Sequence, residues 1–382
     1  MALLILTDNY PPQPGGIGTY AYELARNLHK EGLELIVLAP NSEGGKALDS
    51  KERFITYRLL AKRPIFELHA LVLLVYLVLL GYVDRVCGMT WHPCGSVAML
   101  VSLLFGLPFH VIAHGGELLE SNEKPSGRLK YKLLLNPLRR LVLARATAIF
   151  ANSAYTARLL VSQGVAEGKI TVVPPGVDEE RLQGCKNKAE VVQKYGLKGK
   201  RVLLTVARLE SHKGQDTVIG LMPELLSQIP NLVYVIVGTG SQEATLKDMA
   251  RHLNLNGGVV FSGLVTQEEL LGFYGVCDVF VMVSKKLPDK FEGFGIAFLE
   301  ANACGKPVIG GKSGGIPEAV IHEETGLLVD PDNHQEIAEA VRRLLTDNLF
   351  ARRLGETGRR RVQEGFNWRT TARKVKDTIY AQ

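Results

Sequence analysis

Short, almost wholly apolar runs alternate along this chain with segments of helical period, and that alternation restricts the possible folds more than any other feature. Leu3–Leu6, Thr19–Lys30 and Leu33–Ala39 read as strand, amphipathic helix and strand. A strand that is apolar on both faces must be covered on both, so repeated units of this kind imply a parallel sheet with helices packed on it. Further strands are expected at Asp84–Thr90, Phe109–Ala113 and Ala148–Asn152, with helices at Ser96–Leu104, Leu129–Ala144 and Thr156–Gln163. At Val173-Pro174-Pro175-Gly176-Val177-Asp178 the pattern stops, since the prolines and the glycine favour a stiff connection over regular structure. A second series follows, with strands expected at Arg201–Ala207, Leu232–Val237, Val259–Ser262, Val279–Val283, Val308–Gly310 and Gly326–Val329. The terminal segment Asp347–Gln382 reads as helical, broken at Gly365-Phe366-Asn367-Trp368. Two Rossmann-like, doubly wound α/β domains in tandem account for this order.

Composition narrows the class. A chain of 382 residues with 46% hydrophobic and 22% charged residues has material for two cores and is neither disordered nor coiled coil. The five cysteines (Cys87, Cys94, Cys185, Cys277, Cys304) are scattered and form no Cys-x-x-Cys pair, which argues against a disulfide framework or a zinc knuckle and for a reducing, cytoplasmic setting. No secretory signal is expected, because Met1–Leu6 runs directly into Thr7 and Asp8 without a basic leader. The apolar run Ala70–Val83 falls short of the roughly 18–20 residues that span a bilayer and is expected as a buried helix. The net charge of +6 is concentrated in the first half, where residues 1–175 carry 18 Lys and Arg against 13 Asp and Glu. There Lys124, Arg128, Lys130, Lys132, Arg139, Arg140 and Arg145 interleave with leucines, in the pattern of a basic amphipathic helix. That segment, 124–145, is either a solvated helix face or a peripheral contact for anionic headgroups at the inner face of the membrane. A nucleic-acid partner is not expected, since the charge excess is modest and no basic-aromatic module is present.

Open parallel sheets bind ligands beyond the carboxyl ends of their strands, so the loops there hold the candidate residues. Gly15-Gly16-Ile17-Gly18-Thr19 leads into a helix whose amino end would favour a phosphate, with a plain structural turn as the lesser alternative. Its Gly16-x-Gly18-x-x-Ala21 spacing also permits a dinucleotide-dependent oxidoreductase, but the insert Asp8–Pro14 separates it from its strand and no ribose-binding acid ends the next one. Arg208 and Lys213 follow the first strand of the second half. Together they form a clamp for a leaving diphosphate or remain solvated surface cations. His114 ends the apolar strand Phe109–Ala113 and lies at the sheet edge, and His92 follows Trp91 in a structural or acceptor-shaping place. The most specific string is Glu292-Gly293-Phe294-Gly295-Ile296-Ala297-Phe298-Leu299-Glu300, followed by Gly305-Lys306-Pro307 and Ser313-Gly314-Gly315-Ile316-Pro317-Glu318. A helix starting near Gly295 leaves Glu292 in the preceding loop and carries Glu300 one and a half turns in. The two carboxylates then grip different parts of one extended ligand, with the helix amides facing a phosphate between them.

Taken together, these strings resemble the retaining glycosyltransferases of family 4, and the likeness spans essentially the whole chain. The resemblance implies the GT-B fold, with two Rossmann-like domains facing across a cleft: an acceptor-binding domain at 1–173, a nucleotide-sugar domain at 174–365 and a helical segment, 366–382, crossing back. It implies a donor nucleotide diphosphate sugar whose ribose is held by Glu300 and whose sugar meets Glu292, the amides about Phe294, Gly295 and Ile296, and His114. Arg208, Lys213 and Gly16 are implied at the diphosphate, and Ser262, Gly263, Leu264 and Val265 at the base. The lead-in Ser284–Phe291 is longer than the family's usual one.

The reaction so implied moves a hexose of mannose or glucose type, leaning to GDP-mannose, to a hydroxyl of a glycan, a lipid-linked or a small-molecule acceptor. His114, Arg208, Lys213 and Glu292 are the candidate catalytic residues, with Glu292 a nucleophile only if a double displacement operates. No metal and no cofactor are expected, because no Asp-x-Asp string occurs in the expected place. Closure about Pro174–Asp178 would exclude water from the donor. Two further readings share the architecture: a sugar-nucleotide 2-epimerase, and a catalytically dead nucleotide-sugar-binding partner.

Overall fold

The computed structural model describes residues 1–13, 15–119, 134–178, 185 and 188–381, and its chain divides into two compact units. Met1–Pro175 with Trp368–Gln382 forms the first and Gly176–Asn367 the second. The division thus falls two residues beyond the positions expected from the prolines and from Gly365.

In the first unit seven parallel strands stand in the order β3-β2-β1-β4-β5-β6-β7. They are β1 (Ala2–Leu6), β2 (Leu35–Pro40), β3 (Ile55–Leu59), β4 (Val83–Gly88), β5 (Phe109–Ala113), β6 (Ala148–Ala151) and β7 (Ile170–Val172). The helices are α1 (Gly16–Lys30), α2 (Gly45–Asp49), α3 (Ile65–Leu79), α4 (Ser96–Phe105), α5 (Asn136–Arg145) and α6 (Ala154–Ser162). Every residue of β1, β2, β5 and β6 is buried, as expected of strands covered on both faces. The chain's last helix, α15 (Trp368–Tyr380), packs against α1. Arg369 and Arg373 pair with Glu31 at 2.7 and 2.9 Å, just beyond the carboxyl end of α1. Trp368 stands edge-on to Tyr20 with ring centres 5.0 Å apart, while Tyr20 Oη donates to the Val173 carbonyl at 2.8 Å.

The second unit holds six parallel strands in the order β10-β9-β8-β11-β12-β13. They are β8 (Arg201–Val206), β9 (Leu232–Val237), β10 (Val259–Gly263), β11 (Val279–Met282), β12 (Val308–Gly311) and β13 (Gly326–Val329). Between and after them come α7 (Ala189–Lys194), α8 (Gln215–Gln228), α9 (Glu243–His252), α10 (Gln267–Val276), α11 (Ile296–Ala303), α12 (Ile316–Ala319), α13 (His334–Thr346) and α14 (Asn348–Gly365). Core side chains cluster on both faces of this sheet, with Leu203, Tyr234 and Val281 on one and Leu204, Val235 and Phe280 on the other.

Several expectations need correction. The run Ala70–Val83 is not one buried helix. Helix α3 ends at Leu79, Gly81 turns the chain with φ +74°, and Val83 opens β4. Only one stripe of α3 is covered (Phe66, Ala70, Leu74, Leu77), because a helix lying on the outside of a sheet meets the sheet with one face. Strands β3 and β7 were not expected: β3 is an edge strand with alternating exposure, and β7 has three half-buried residues, so neither carries the apolar run that marks a central strand. The cysteines do yield one bond, Cys185 to Cys304, bridging 119 residues, while Cys87, Cys94 and Cys277 are free and buried. Scattered spacing gave no sign of it, since the pairing is made by tertiary proximity. In the basic stretch, Lys124, Arg128, Lys130 and Lys132 lie outside the described residues. Arg139 is buried, donating to the Leu118 carbonyl and, at 2.6 Å, to Asn136, whereas Arg140 and Arg145 are exposed on α5.

Replacing Trp368 with alanine removes the ring that seals α15 on α1. Trp368→Ala is expected to cost the first unit about 3–5 kcal/mol. Hydrogen exchange across α1 and α15 checks this, with protection falling there and holding in β8–β13.

Candidate active site

In the second sheet β8 adjoins its sequence neighbour β9 on one side and β11 on the other, so the winding reverses between β8 and β11. At such a reversal the loops leaving the two strands diverge and open a crevice at their carboxyl ends. Those loops are Ala207–Gly214 and Val283–Gly295. They meet through Lys213, whose Nζ donates to Glu292 Oε2 at 2.6 Å, both side chains being largely buried. The backbones are bonded too, Lys285 N–H donating to the His212 carbonyl at 2.7 Å. Gly214, at φ +79°, lies so near Val283 that a Cβ would strike its carbonyl oxygen, so the approach of the loops requires glycine. The Ser313–Gly315 turn closes the other side: Gly315 N–H donates to the Glu292 carbonyl at 2.9 Å, and a side chain there would run into the Gly293 carbonyl.

Burial by itself would raise the Glu292 carboxyl. The Lys213 ammonium and its hydrogen bond outweigh that, aided by the Phe294 N–H, and hold the group below the usual carboxylate range. His212 is pushed down to about 4, chiefly by burial and then by the Lys213 charge, so it is neutral at physiological pH. Arg208 is 69% exposed and pairs with Glu210 at 2.7 Å. Glu210 also faces Lys290 at 3.5 Å and His212 at 3.6 Å. Glu210 and Lys290 were not singled out in the sequence, where nothing distinguishes them from surface charges.

Gly295, in the left-handed region at φ +90°, caps the amino end of α11; its carbonyl accepts from the Phe298 N–H at 3.0 Å, while the Ile296 and Ala297 amides lack helical acceptors. Phe294 is buried against Phe366, and Ile296 is half-buried. Glu300 accepts from Tyr274 Oη at 2.6 Å, a partner no spacing rule indicates. The β10 loop is tied to the same edge, Gly238 N–H donating to the Gly263 carbonyl at 3.0 Å and Leu209 N–H to that of Thr239 at 2.9 Å. Along it Ser262 is half-buried and bonds backbone carbonyls, Leu264 is exposed and Val265 packs on the core.

The remaining candidates belong to the first unit, where β1 and β4 form the reversal. Gly16 opens α1 with clear space beside it, whereas Gly18 is pressed against Asn9 and serves packing. His114 Nε2 lies 3.0 Å from the Met89 carbonyl, which can only accept, so Nε2 carries the proton and Nδ1 offers a lone pair. Burial lowers His114 to about 4, making it a neutral hydrogen-bonding group. His92, after β4, has Nδ1 3.1 Å from Ser96 Oγ. Asp8, after β1, pairs with Arg63 at 2.6 Å, and its place at the reversal marks it as a candidate that the motifs did not show. Among the described residues no three His, Cys, Asp or Glu side chains gather as a metal site requires.

Profiles of two protein families match the chain: one described as Glycosyltransferase Family 4 over residues 14–181, the other as Glycosyl transferases group 1 over 187–361. A GDP-mannose-dependent alpha-(1-6)-phosphatidylinositol monomannoside mannosyltransferase of Mycobacterium tuberculosis (strain CDC 1551 / Oshkosh) is 31% identical over 99% of this chain and 97% of its own length. The chain belongs to glycosyltransferase family 4. It is a glycosyltransferase, and the epimerase alternative finds no support. A GDP-mannose-dependent monoacylated alpha-(1-6)-phosphatidylinositol monomannoside mannosyltransferase of Corynebacterium glutamicum is 27% identical over 99% of this chain and 98% of its own. Among solved structures, Anabaena Alr3699/HepE in complex with UDP-glucose aligns with TM-score 0.81 at 19% identity, covering 100% of both chains. Sucrose-phosphate synthase from Thermosynechococcus elongatus aligns with TM-score 0.80 at 24% identity, covering 100% of this chain and 99% of its own. The fold is GT-B.

The Lys213–Glu292 pair has a readable pH signature. In the wild type the depressed Glu292 pKa contributes stability that is fully present above the unfolded carboxylate value, about 4.3, and is lost as pH falls through the folded value. In Lys213→Ala the largest lowering influence is gone and burial is opposed only by the Phe294 N–H and the His212 field, so the folded pKa rises relative to the wild type and the variant is expected to lose less stability on acidification through that range. Melting temperatures of both proteins across this range check the difference in slope. Gly315→Ala is expected to destabilise the second unit by about 1–3 kcal/mol, measured by chemical denaturation.

Proposed function

We propose that this glycosyltransferase moves mannose from GDP-mannose, with retention of configuration, to a hydroxyl of a lipid-linked acceptor. The observation that carries the chemistry is the Lys213–Glu292 pair at the β8/β11 reversal, beside the amino end of α11. Support for the donor and for a lipid acceptor comes from the whole-length relatives, whose names give GDP-mannose and phosphatidylinositol mannosides. The geometry fits the roles that the family resemblance assigns. Glu300, oriented by Tyr274, accepts from the ribose hydroxyls. An ammonium has three donors, so Lys213 can keep Glu292 and still bind a diphosphate oxygen. Arg208 exchanges Glu210 for the other phosphate, and the α11 amides add positive potential. Gly16 offers backbone to the diphosphate, His114 Nδ1 accepts from a sugar hydroxyl, and the Ser262–Val265 loop meets the base. Asp8 and His92 are the acceptor-side groups.

The C1–oxygen bond to the diphosphate breaks with both electrons passing to the phosphate. The acceptor oxygen bonds C1 from that same face, and its proton passes to the departing phosphate oxygen. Arg208, Lys213 and the α11 amides stabilise the charge that develops on GDP, so this reading requires no metal. Glu292, held by Lys213 and the Phe294 amide, positions the sugar and does not attack it. The reading puts the reaction at the cytoplasmic face of a membrane, where soluble donor meets lipid acceptor, with Arg140 and Arg145 of the basic segment toward anionic headgroups.

GDP is expected to raise the melting temperature more than UDP or ADP, and Glu300→Ala to abolish most of that shift. An equal response to UDP would overturn the choice of donor. Lys213→Ala is expected to lower kcat by about 10²–10³-fold, the usual effect of removing one group that stabilises developing negative charge. Transfer of label from GDP-mannose in the presence of a chelator measures both points, and near-normal turnover of the variant would remove Lys213 from the clamp.

A further inference from the structure

A helix that is apolar around its whole circumference belongs in a core, yet α3 leaves one side uncovered. Leu68, Val72 and Leu79 are 59%, 61% and 69% exposed, and their spacing sets them on one stripe opposite Phe66, Ala70, Leu74 and Leu77. The neighbouring α4 repeats the arrangement, with Leu100, Leu103 and Leu104 exposed to 46%, 56% and 69% on one face. Helices α3, α4 and α5 connect β3 to β4, β4 to β5 and β5 to β6. Each step moves in the same direction across the sheet, so the usual right-handed crossovers put all three on one side. There α3 packs on α4 and α4 on α5, making one layer whose outer surface is apolar along α3 and α4 and basic along α5, at Arg140 and Arg145.

We propose that this layer is a bilayer-docking face: the α3/α4 ridge enters the headgroup–acyl boundary of an anionic membrane while the α5 arginines and Lys62 contact its phosphates. Three features select lipid over protein. No Asp, Glu, Lys or Arg occurs between Glu67 and Asp84, and exposed His69 is the one imidazole there, so the ridge carries no carboxylate, ammonium or guanidinium into the acyl region. Tyr76 and Tyr82, 57% and 56% exposed, flank the leucines as amphipathic side chains suited to a water–lipid boundary. Among the described residues, the exposed charges on α3, α4, α5 and the turn before α3, namely Lys62, Arg63, Arg140 and Arg145, are cations. A second copy docking through this face would set like charges against each other, which disfavours it, whereas an anionic surface attracts them. The proposal rests on the lipid-acceptor reading only for its purpose, because docking to acceptor-free vesicles tests it separately.

The test is co-sedimentation of the full chain with phosphatidylcholine vesicles, with and without phosphatidylglycerol, in the absence of donor. The wild type is expected to bind the anionic vesicles. Val72→Glu/Leu104→Glu is expected to lower partition by about tenfold or more, since each glutamate carries a charge into the acyl boundary. Arg140→Ser/Arg145→Ser is expected to erase the preference for anionic vesicles. Both should keep the wild-type melting response to GDP, which reads the second unit. If the glutamate variant does not fold, Leu79→Ser/Leu103→Ser replaces it. Unchanged vesicle partition in a folded ridge variant overturns the proposal. So does a wild-type dimer, seen by light scattering, that the same substitutions dissociate while vesicle binding persists. Vesicle binding without any GDP response would sink the donor reading and leave this one standing.

Discussion

An ammonium and a carboxylate 2.6 Å apart, both largely withdrawn from water, hold together the two loops that leave β8 and β11 at the reversal of the second sheet. Neither charge would be tolerated there alone, because desolvation without a partner costs several kcal/mol per ion. Their pairing fixes the loop after β8 to the loop after β11, and the backbone bond from Lys285 to His212 repeats the link. Around that link the glycines are determined by contact: Gly214 against Val283, and Gly315 against Gly293. The pair that fixes the loops lies beside the start of α11, where the proposed function puts the leaving diphosphate.

The same economy governs the other charged groups. Glu210 is surrounded by Arg208, Lys290 and His212, so the cations at this edge are balanced within the chain. On the proposed function an incoming diphosphate competes with carboxylates there, which favours a dianion over a single charge. His114 and His212 are both neutral at physiological pH because burial disfavours their charged forms.

The two units resemble one another in plan and differ in what their surfaces expose. The second closes its sheet under helices with apolar cores on both faces, while the first leaves an apolar ridge on α3 and α4 open to solvent. Uncovered apolar surface is unfavourable in water and becomes favourable against a lipid phase. On the proposed function, the second unit would handle the nucleotide and the first, with its ridge, the lipid.

Much of this was legible in the sequence. Apolar runs such as Phe109–Ala113 and Leu232–Val237 mark central strands because a strand buried on both faces has no room for polar residues, and Gly295 announces the start of α11. Edge elements escaped, since β3 is half exposed and β7 is only three residues long. The motif from Glu292 to Glu300 identified the family, because a carboxylate in a loop and another in the following helix are set by local geometry. What only the tertiary structure decided are the partners: Tyr274 for Glu300, Lys213 for Glu292, Glu210 for Arg208, and Cys185 for Cys304. It also decided which stripe of α3 is covered. Periodicity reports which side chains share a face, but whether a neighbour covers that face depends on strand order, which residues distant in the chain determine together.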